Sequence, residues 1–266
     1  MGTEIGGGMR SFVPLLVLTF LFAVCCAQPR PVDVNGVNGG KDRMLPAVEA
    51  GQTVVEHKAY SLVYSEENEQ PLWCAYMLTA ARVNGKCPRS NDFREDPAIA
   101  TGSADLFDYR GSGYSRGHLV PAADMKWDEE AMSETFLLSN MSPQTREFND
   151  GVWNRMEQQV RNWASWFDTL YVVTGPVLKG LDGSKTIGHN AVTVPTHYYK
   201  AVYDPHRGMA IAFVVPHEQS SEPLRTFVVS VDELEQMTGL DFFPELPDEE
   251  ENRVEAEKCP SCWRMK

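Results

Sequence analysis

No long hydrophobic stretch follows the apolar run at residues 12–24, and that run is itself too short to cross a bilayer comfortably. An excess of positive charge is missing too: 24 Lys and Arg stand against 37 Asp and Glu, a formal net charge of −13. That argues against tight, charge-driven coating of nucleic acid by the whole surface. It leaves room for a local positive site, because net charge governs solubility and long-range attraction rather than one pocket. Cysteine is sparse, six in 266 residues, which sets aside a disulfide-framed miniprotein. A chain of this length buries a core without such staples. Internal repeats are absent, which sets aside solenoids and propellers.

What is present begins at the N-terminus. Arg10 precedes the apolar run, and Cys25-Cys26-Ala27 then supplies small residues before Gln28-Pro29. This is the layout of a secretory signal over residues 1–27, rather than of a buried core helix. It implies an exported protein, secreted or periplasmic, with a lipid anchor at Cys25 as the one membrane attachment left open. Residues 28–53, rich in Pro, Gly and Asn, read as a flexible linker, and 54–246 as the folded domain. Residues 247–266 read as an acidic C-terminal tail carrying a CxxC. Between Glu245 and Glu257 seven acidic residues stand against one arginine, close to half of the net charge. Four cysteines follow the signal, and in an oxidising compartment an even count favours disulfides. Cys74–Cys87 with Cys259–Cys262 is the simplest of three connectivities. The Cys259-Pro260-Ser261-Cys262 spacing also suits a redox pair or half a zinc site, but its polar terminal setting lacks the βαβ context of the first.

Residues 59–64 and 72–78 have the aromatic and β-branched content of strands, split by the polar turn 65–70. Residues 135–141, 170–174, 191–194, 198–203 and 209–215 are further strand candidates, and 91–113 is loop-like. Trp153, Met156, Val160, Trp163 and Phe167 recur at three- and four-residue steps, which predicts a helix over 150–167 capped by Asn149 or Asp150. A second helix is expected near 231–237. The architecture is α+β, a central, mostly antiparallel sheet with helices packed on it.

The chemistry concentrates between Gly113 and Arg161. Ser115-Arg116-Gly117-His118 sets a cation beside an imidazole, and Leu119-Val120-Pro121-Ala122-Ala123-Asp124 follows. The helix then displays Asn149, Glu157 and Arg161, an amide oxygen, a carboxylate and a guanidinium near one edge. That set suits one hard divalent cation with few protein ligands, beside an anionic substrate. Phosphodiester cleavage needs a base for water, positive charge for the phosphorane and stabilisation of the leaving oxygen. His118 titrates near working pH and is the natural base. Isolated, an Arg-Gly-His is usually a turn, and Arg161 is equally readable as an i,i+4 partner of Glu157. His57, His189, His197, His206 and His217 share no spacing, and Trp153, Trp163 and Trp166 read as core.

Ser-Arg-Gly-His with Leu-Val-Pro-Ala-Ala-Asp, then Asn140-Met-Ser-Pro-Gln144, then Asn149-Asp-Gly-Val-Trp-Asn-Arg-Met-Glu157, resembles the DNA/RNA non-specific endonucleases. These are the ββα-metal nucleases of the Serratia nuclease and endonuclease G type. The likeness extends through Tyr171-Val-Val-Thr-Gly-Pro176, Val194-Pro-Thr-His-Tyr-Tyr-Lys200 and Phe213-Val-Val-Pro216, and covers roughly residues 54–246. It implies the ββα-metal fold and a metal-dependent endonuclease that cuts DNA and RNA without sequence preference, leaving 5′-phosphate and 3′-hydroxyl ends. By the same resemblance His118 is the general base, Asn149 the metal ligand and Glu157 an outer carboxylate acting through water. Arg116 and Arg161 contact phosphate, and Asn140, in the second strand of the unit, organises the site. Mg²⁺ is the expected ion, with Mn²⁺ as a substitute, and no sequence-specific nucleic-acid partner is expected. Two departures stand out: Ser115 replaces an Asp common in the family, and Met77 stands where some members carry a phosphate-binding Arg, a role left to Arg82 or Arg110. A phosphodiesterase of narrower substrate range and a binding protein that lost catalysis are the alternatives; base, ligand and carboxylate all survive, which argues against the second. DNA against RNA preference and oligomeric state are not set by the sequence.

Overall fold

The middle of the chain is apolar on both sides of its strands. In Gln70–Thr79, Trp73 and Ala75 point one way while Cys74, Tyr76 and Leu78 point the other, and both sets are buried. A sheet of such strands needs a cover on each face. The computed structural model, which describes residues 1–3, 44–181 and 183–265, supplies both. The expected signal segment, with Cys25 and Cys26, and the linker up to residue 43 lie outside these residues.

The strands are β1 (Val54–Glu56), β2 (Tyr60–Ser65), β3 (Gln70–Thr79), β4 (Ser115–His118), β5 (Met141–Gln144), β6 (Thr169–Pro176), β7 (Thr186–Ile187), β8 (Val192–Thr193), β9 (His197–Asp204), β10 (Met209–Pro216) and β11 (Val228–Val229). The helices are α1 (Ala80–Val83), α2 (Leu106–Tyr109), α3 (Glu129–Glu134), α4 (Arg146–Phe148), α5 (Asn154–Phe167), α6 (Val231–Thr238) and α7 (Asp248–Ala256). Seven strands form one antiparallel sheet in the order β1-β2-β3-β6-β9-β10-β11, while β4 pairs with β5 and β7 with β8. One face of the large sheet packs against Trp153 and, in α5, against Met156, Val160 and Trp163. The other packs against Val231 and Leu234 of α6, Phe242, Phe243 and Val254 of α7. This is the expected α+β class.

Several expectations need correcting. The apolar run at 135–141 is no strand: Leu138–Asn140 forms a 3₁₀ turn, and β5 begins only at Met141. Phe136, Leu137 and Leu138 are buried by tertiary packing, which a short apolar run does not distinguish from strand burial. The ordered chain starts upstream of Val54, since Met44 and Leu45 pack on the core and Ala47 N–H donates to Asp241 O. The acidic stretch is part of the body rather than a tail. Val254 and Trp263 are fully buried, and Trp163 Nε1 donates to Trp263 O at 2.7 Å. Cys259 and Cys262 form a disulfide; Cys74 and Cys87 are both free, so the simplest pairing holds for one bridge only.

Candidate active site

His118 ends β4, whose register opposite β5 places Gly117 across from Ser142. Gly117 is a requirement of packing: a Cβ there would come within 2.2–2.4 Å of the Gln144 side chain, which is fully buried. The His118 ring is 9% exposed and packs edge-on to Phe136 (4.9 Å between centroids) and Phe93 (5.7 Å). Its Nε2 is buried without a hydrogen-bond partner. Each flanking ring carries a cation, Arg116 over Phe93 at 3.9 Å and Arg89 over Phe136 at 4.7 Å. Burial, then the charges of Arg89 and Arg116, push the His118 pKa down to about 3. The imidazole is therefore neutral at working pH, with a nitrogen free to take a proton.

Asn140 is placed just before β5, not in it, and all its polar atoms are engaged. Its Nδ2 donates to Val120 O (3.0 Å) and Thr135 O (2.9 Å), and its Oδ1 accepts from Val120 N (2.9 Å). The backbone continues the tie, with Leu119 N donating to Asn140 O. Asn140 thus clamps the chain leaving His118, a positioning role fixed by its hydrogen bonds.

The helix that follows does not start at Asn149. Thr145 caps α4 by accepting from Phe148 N, and a π-type turn at Asn149–Trp153, kinked at Gly151, carries α4 into α5. The turn matters for alignment. In an unbroken α-helix, residues eight apart differ by about 80° around the axis. Gly151, at φ −97° and ψ −110°, breaks that phase, so the kink and not the eight-residue spacing sets how Asn149 stands to Glu157. The Asn149 amide is half-buried and makes no side-chain hydrogen bond. Trp153 Nε1 donates to His118 O at 3.3 Å, tying the end of this turn to the strand that carries His118.

Behind Glu157 lies a buried charge cluster. Asp124, fully buried, accepts from Arg161 Nη1 at 2.7 Å and from Tyr76 Oη at 2.8 Å. Lys200, also fully buried, donates to Thr174 Oγ1 at 3.0 Å and lies 4.8 Å from the Trp153 ring. Burial raises the Glu157 carboxyl above its ordinary range, against the pull of Lys200, Arg161 and Arg89. Burial likewise lowers Lys200, opposed by Glu157 and Asp124.

The matched family is the DNA/RNA non-specific endonucleases, over residues 43–249. The chain belongs to that family. It is 42% identical over 206 residues to mitochondrial nuclease EXOG of Danio rerio, across 70% of this chain and 59% of that one. Human mitochondrial endonuclease G is 36% identical over 204 residues (71% and 69% of the two chains). Nuclease C1 of Cunninghamella echinulata var. echinulata is 35% identical over 209 residues (72% and 83%). The chain thus spans less than two thirds of the EXOG relative's length. Among solved structures, the crystal structure of the EndoG/EndoGI complex matches with a TM-score of 0.69 at 34% identity, over 77% of this chain and 90% of that one. The fold is that of these ββα nucleases. The expectation of export to a secreted or periplasmic location is overturned, because EXOG, endonuclease G and nuclease 1 of Schizosaccharomyces pombe are all mitochondrial by name.

Within this endonuclease fold the structure brings His118, Arg116, Asn149 and Glu157 onto the β4–β5–helix unit, and turns Arg161 onto Asp124. Arg82 is taken up by Met77 O and the Trp127 ring, whereas Arg110 lines a groove with Phe93, Tyr109, Tyr114 and Arg116. Sequence reasoning missed Arg89, Asp124 in its paired role, and Lys200. None has a spacing that marks it; only the fold gathers them around Glu157 and His118.

Proposed function

We propose that the chain is a metal-dependent endonuclease that hydrolyses phosphodiester bonds in DNA and RNA without sequence preference, leaving 5′-phosphate and 3′-hydroxyl ends. The observation that carries this reading is the buried, neutral His118, its Nε2 unpartnered and its ring flanked by two phenylalanines that each carry a guanidinium. In this reading Nε2 takes the proton of the attacking water. Arg116 and Arg89 hold the phosphate, and a phosphate between them offsets the charges that keep protons off His118. The imidazole therefore gains basicity as the substrate arrives. Asn140 holds the Val120 segment, and so the approach to His118, in place. Arg161, paired with Asp124 and 16% exposed in its side chain, fixes charge beside Glu157 and touches phosphate only by leaving that pair.

The residues present fit a hard divalent ion. Asn149 offers an amide oxygen with no protein partner, and Glu157, on the helix beyond the kink, would act through bridging water, a donor set that leaves such an ion most of its waters. Mg²⁺, with Mn²⁺ as substitute, would be held there and would supply positive charge to the phosphate and the leaving oxygen. The groove of Phe93, Tyr109, Arg110, Tyr114 and Arg116 suits a strand bound by phosphate contacts and ring stacking, which carry little sequence information. The family supports work on DNA and RNA, and the names of the relatives support a mitochondrial setting. Incubation of the purified full chain with supercoiled plasmid and with RNA, in Mg²⁺ and in chelator, tests the reading, with end-labelling of the products. Nicking and fragmentation that stop in chelator are expected; absence of cleavage, or cleavage indifferent to chelator, would overturn it.

A further inference from the structure

On the sheet face away from His118, α7 turns Glu255 inward. Its residue is 8% exposed, and its Oε1 is buried with no hydrogen-bond partner. Four carboxylates surround it. Asp232 and Glu235 of α6 each offer an oxygen that lies, with one from Glu255, within a 4.8 Å cluster, and Asp241 and Glu251 do the same. The groups acting most strongly on Glu255 are burial and then Glu235, Glu251, Asp232 and Asp241, which together push its pKa up to about 8. Glu235 and Glu251 are also raised, each first by burial. Nearby cations are committed elsewhere: Arg253 to Gly208 O and Glu257, Lys258 to Glu233, and Lys179 to Gln236 O. A buried carboxylate with an open oxygen among four like charges is costly unless protons or a cation balance it.

We propose that Glu255, with Asp232, Glu235, Asp241 and Glu251, forms a calcium site that clamps α7 onto α6 and the Asp241 turn. The chemistry selects Ca²⁺: it accepts six to eight oxygens from carboxylates in flexible geometry, whereas Mg²⁺ demands a near-ideal octahedron. The site lies across the sheet from the nuclease centre. Val231, Leu234 and Val254 pack with the Trp73 face, while Trp153 and Met156 pack with the Tyr76 face. Its role is structural, because α7 leads into the Cys259–Cys262 bridge and the buried Trp263. It does not depend on the proposed catalytic reading.

The test is calorimetric unfolding of the chelator-treated full chain with CaCl₂ or MgCl₂ added, beside equilibrium dialysis with ⁴⁵Ca²⁺. Glu255→Gln, Glu251→Gln and, as a control on the other metal site, Asn149→Ala are measured in parallel. Parent and Asn149→Ala are expected to bind one Ca²⁺ and to gain about 5–10 °C in Tm at a hundredfold excess over Kd, with a smaller gain in Mg²⁺. Glu255→Gln, isosteric with the protonated acid, is expected to fold and to lose that gain; Glu251→Gln is expected to weaken Ca²⁺ binding and covers the case in which the first variant does not fold. Parent protein that binds no Ca²⁺ would overturn the site and leave Glu255 as a shared-proton carboxyl. So would a calcium response retained in Glu255→Gln or abolished by Asn149→Ala.

Discussion

His118 is held neutral by its surroundings, a state that suits the base we propose and costs the fold in acid. Replacing it with Ala is expected to lower kcat by at least ~10²–10⁴-fold, the usual worth of general-base catalysis. Because the ring is a packed neighbour of Phe93 and Phe136, the variant should also lose some stability, so a thermal melt must show it folded at the assay temperature. Near-parental turnover in a folded His118→Ala would remove it from the mechanism. The pH dependence has a definite sign. His118 is depressed to about 3 in the folded chain, while in the unfolded chain it titrates near its ordinary 6.5. Between these values the unfolded state binds the extra proton. The stability tied to neutral His118 is therefore fully present above pH 6.5 and is lost as pH falls toward 3. Urea melts from pH 7 to 4.5 should show a shallower decline for His118→Phe than for the parent; parallel curves would mean the ring is not held neutral by its surroundings. At the metal face, Asn149→Ala should raise the Mg²⁺ concentration needed for half-maximal activity. Glu157→Ala should do so less, as loss of a water-mediated partner costs ~10–100-fold. Identical Mg²⁺ titrations for both variants and the parent would place the ion elsewhere.

At the scale of elements, the π-type turn decides whether those two residues cooperate. Deleting Gly151 should remove the kink between α4 and α5 and change where Asn149 stands relative to Glu157. Circular dichroism is then expected to keep its helical signal while the Mg²⁺ requirement rises at least as much as in Asn149→Ala. A deletion variant that titrates like the parent would show that the turn does not set the alignment. The periodicity of Trp153, Met156, Val160 and Trp163 makes α5 legible in the sequence, and the long two-sided runs mark β3, β6, β9 and β10. The π turn leaves no trace in that pattern, because one added residue shifts phase without changing composition. Asn149 consequently reads as a helix cap when Thr145 is the cap. Residues 135–141 mislead for a related reason, since burial of Phe136 against His118 and of Leu138 in a separate cluster imitates a strand. His118, Asn149 and Glu157 could be read because they share one continuous segment. Arg89 and Lys200 could not, since one lies in the loop before α2 and the other on β9, and each reaches the site only through tertiary packing on Phe136 and Trp153.

For the whole molecule the question is how a chain of net charge −13 meets a polyanion. Part of the charge is divided between the two faces: Arg89, Arg110 and Arg116 border the His118 side, while the seven acidic residues from Glu245 to Glu257 accompany α7 on the opposite face of the sheet. Between the two surfaces lie the sheet and its packed layers, each spacing of order 10 Å. At 0.15 M salt the screening length is ~8 Å, so α7 is then electrostatically remote from the substrate; at 0.01 M it is ~30 Å and repulsion spans the molecule. Truncating the acidic segment would confuse the issue, because it would pull Val254 and Trp263 out of the core. Neutralising the exposed Glu245 and Glu249 as Glu245→Gln/Glu249→Gln leaves the packing and the Glu255 cluster alone. Kinetics on duplex DNA should then show a lower KM at 0.01 M salt, an unchanged kcat, and no difference from the parent at 0.15 M. Binding to phosphates also predicts a steep rise of KM with salt in both proteins, since counterions are released on association. A KM that differs at 0.15 M would mean that substrate reaches around to α7. A KM unchanged at both salts would mean that the arginine-bordered groove dominates the field the substrate feels at every ionic strength.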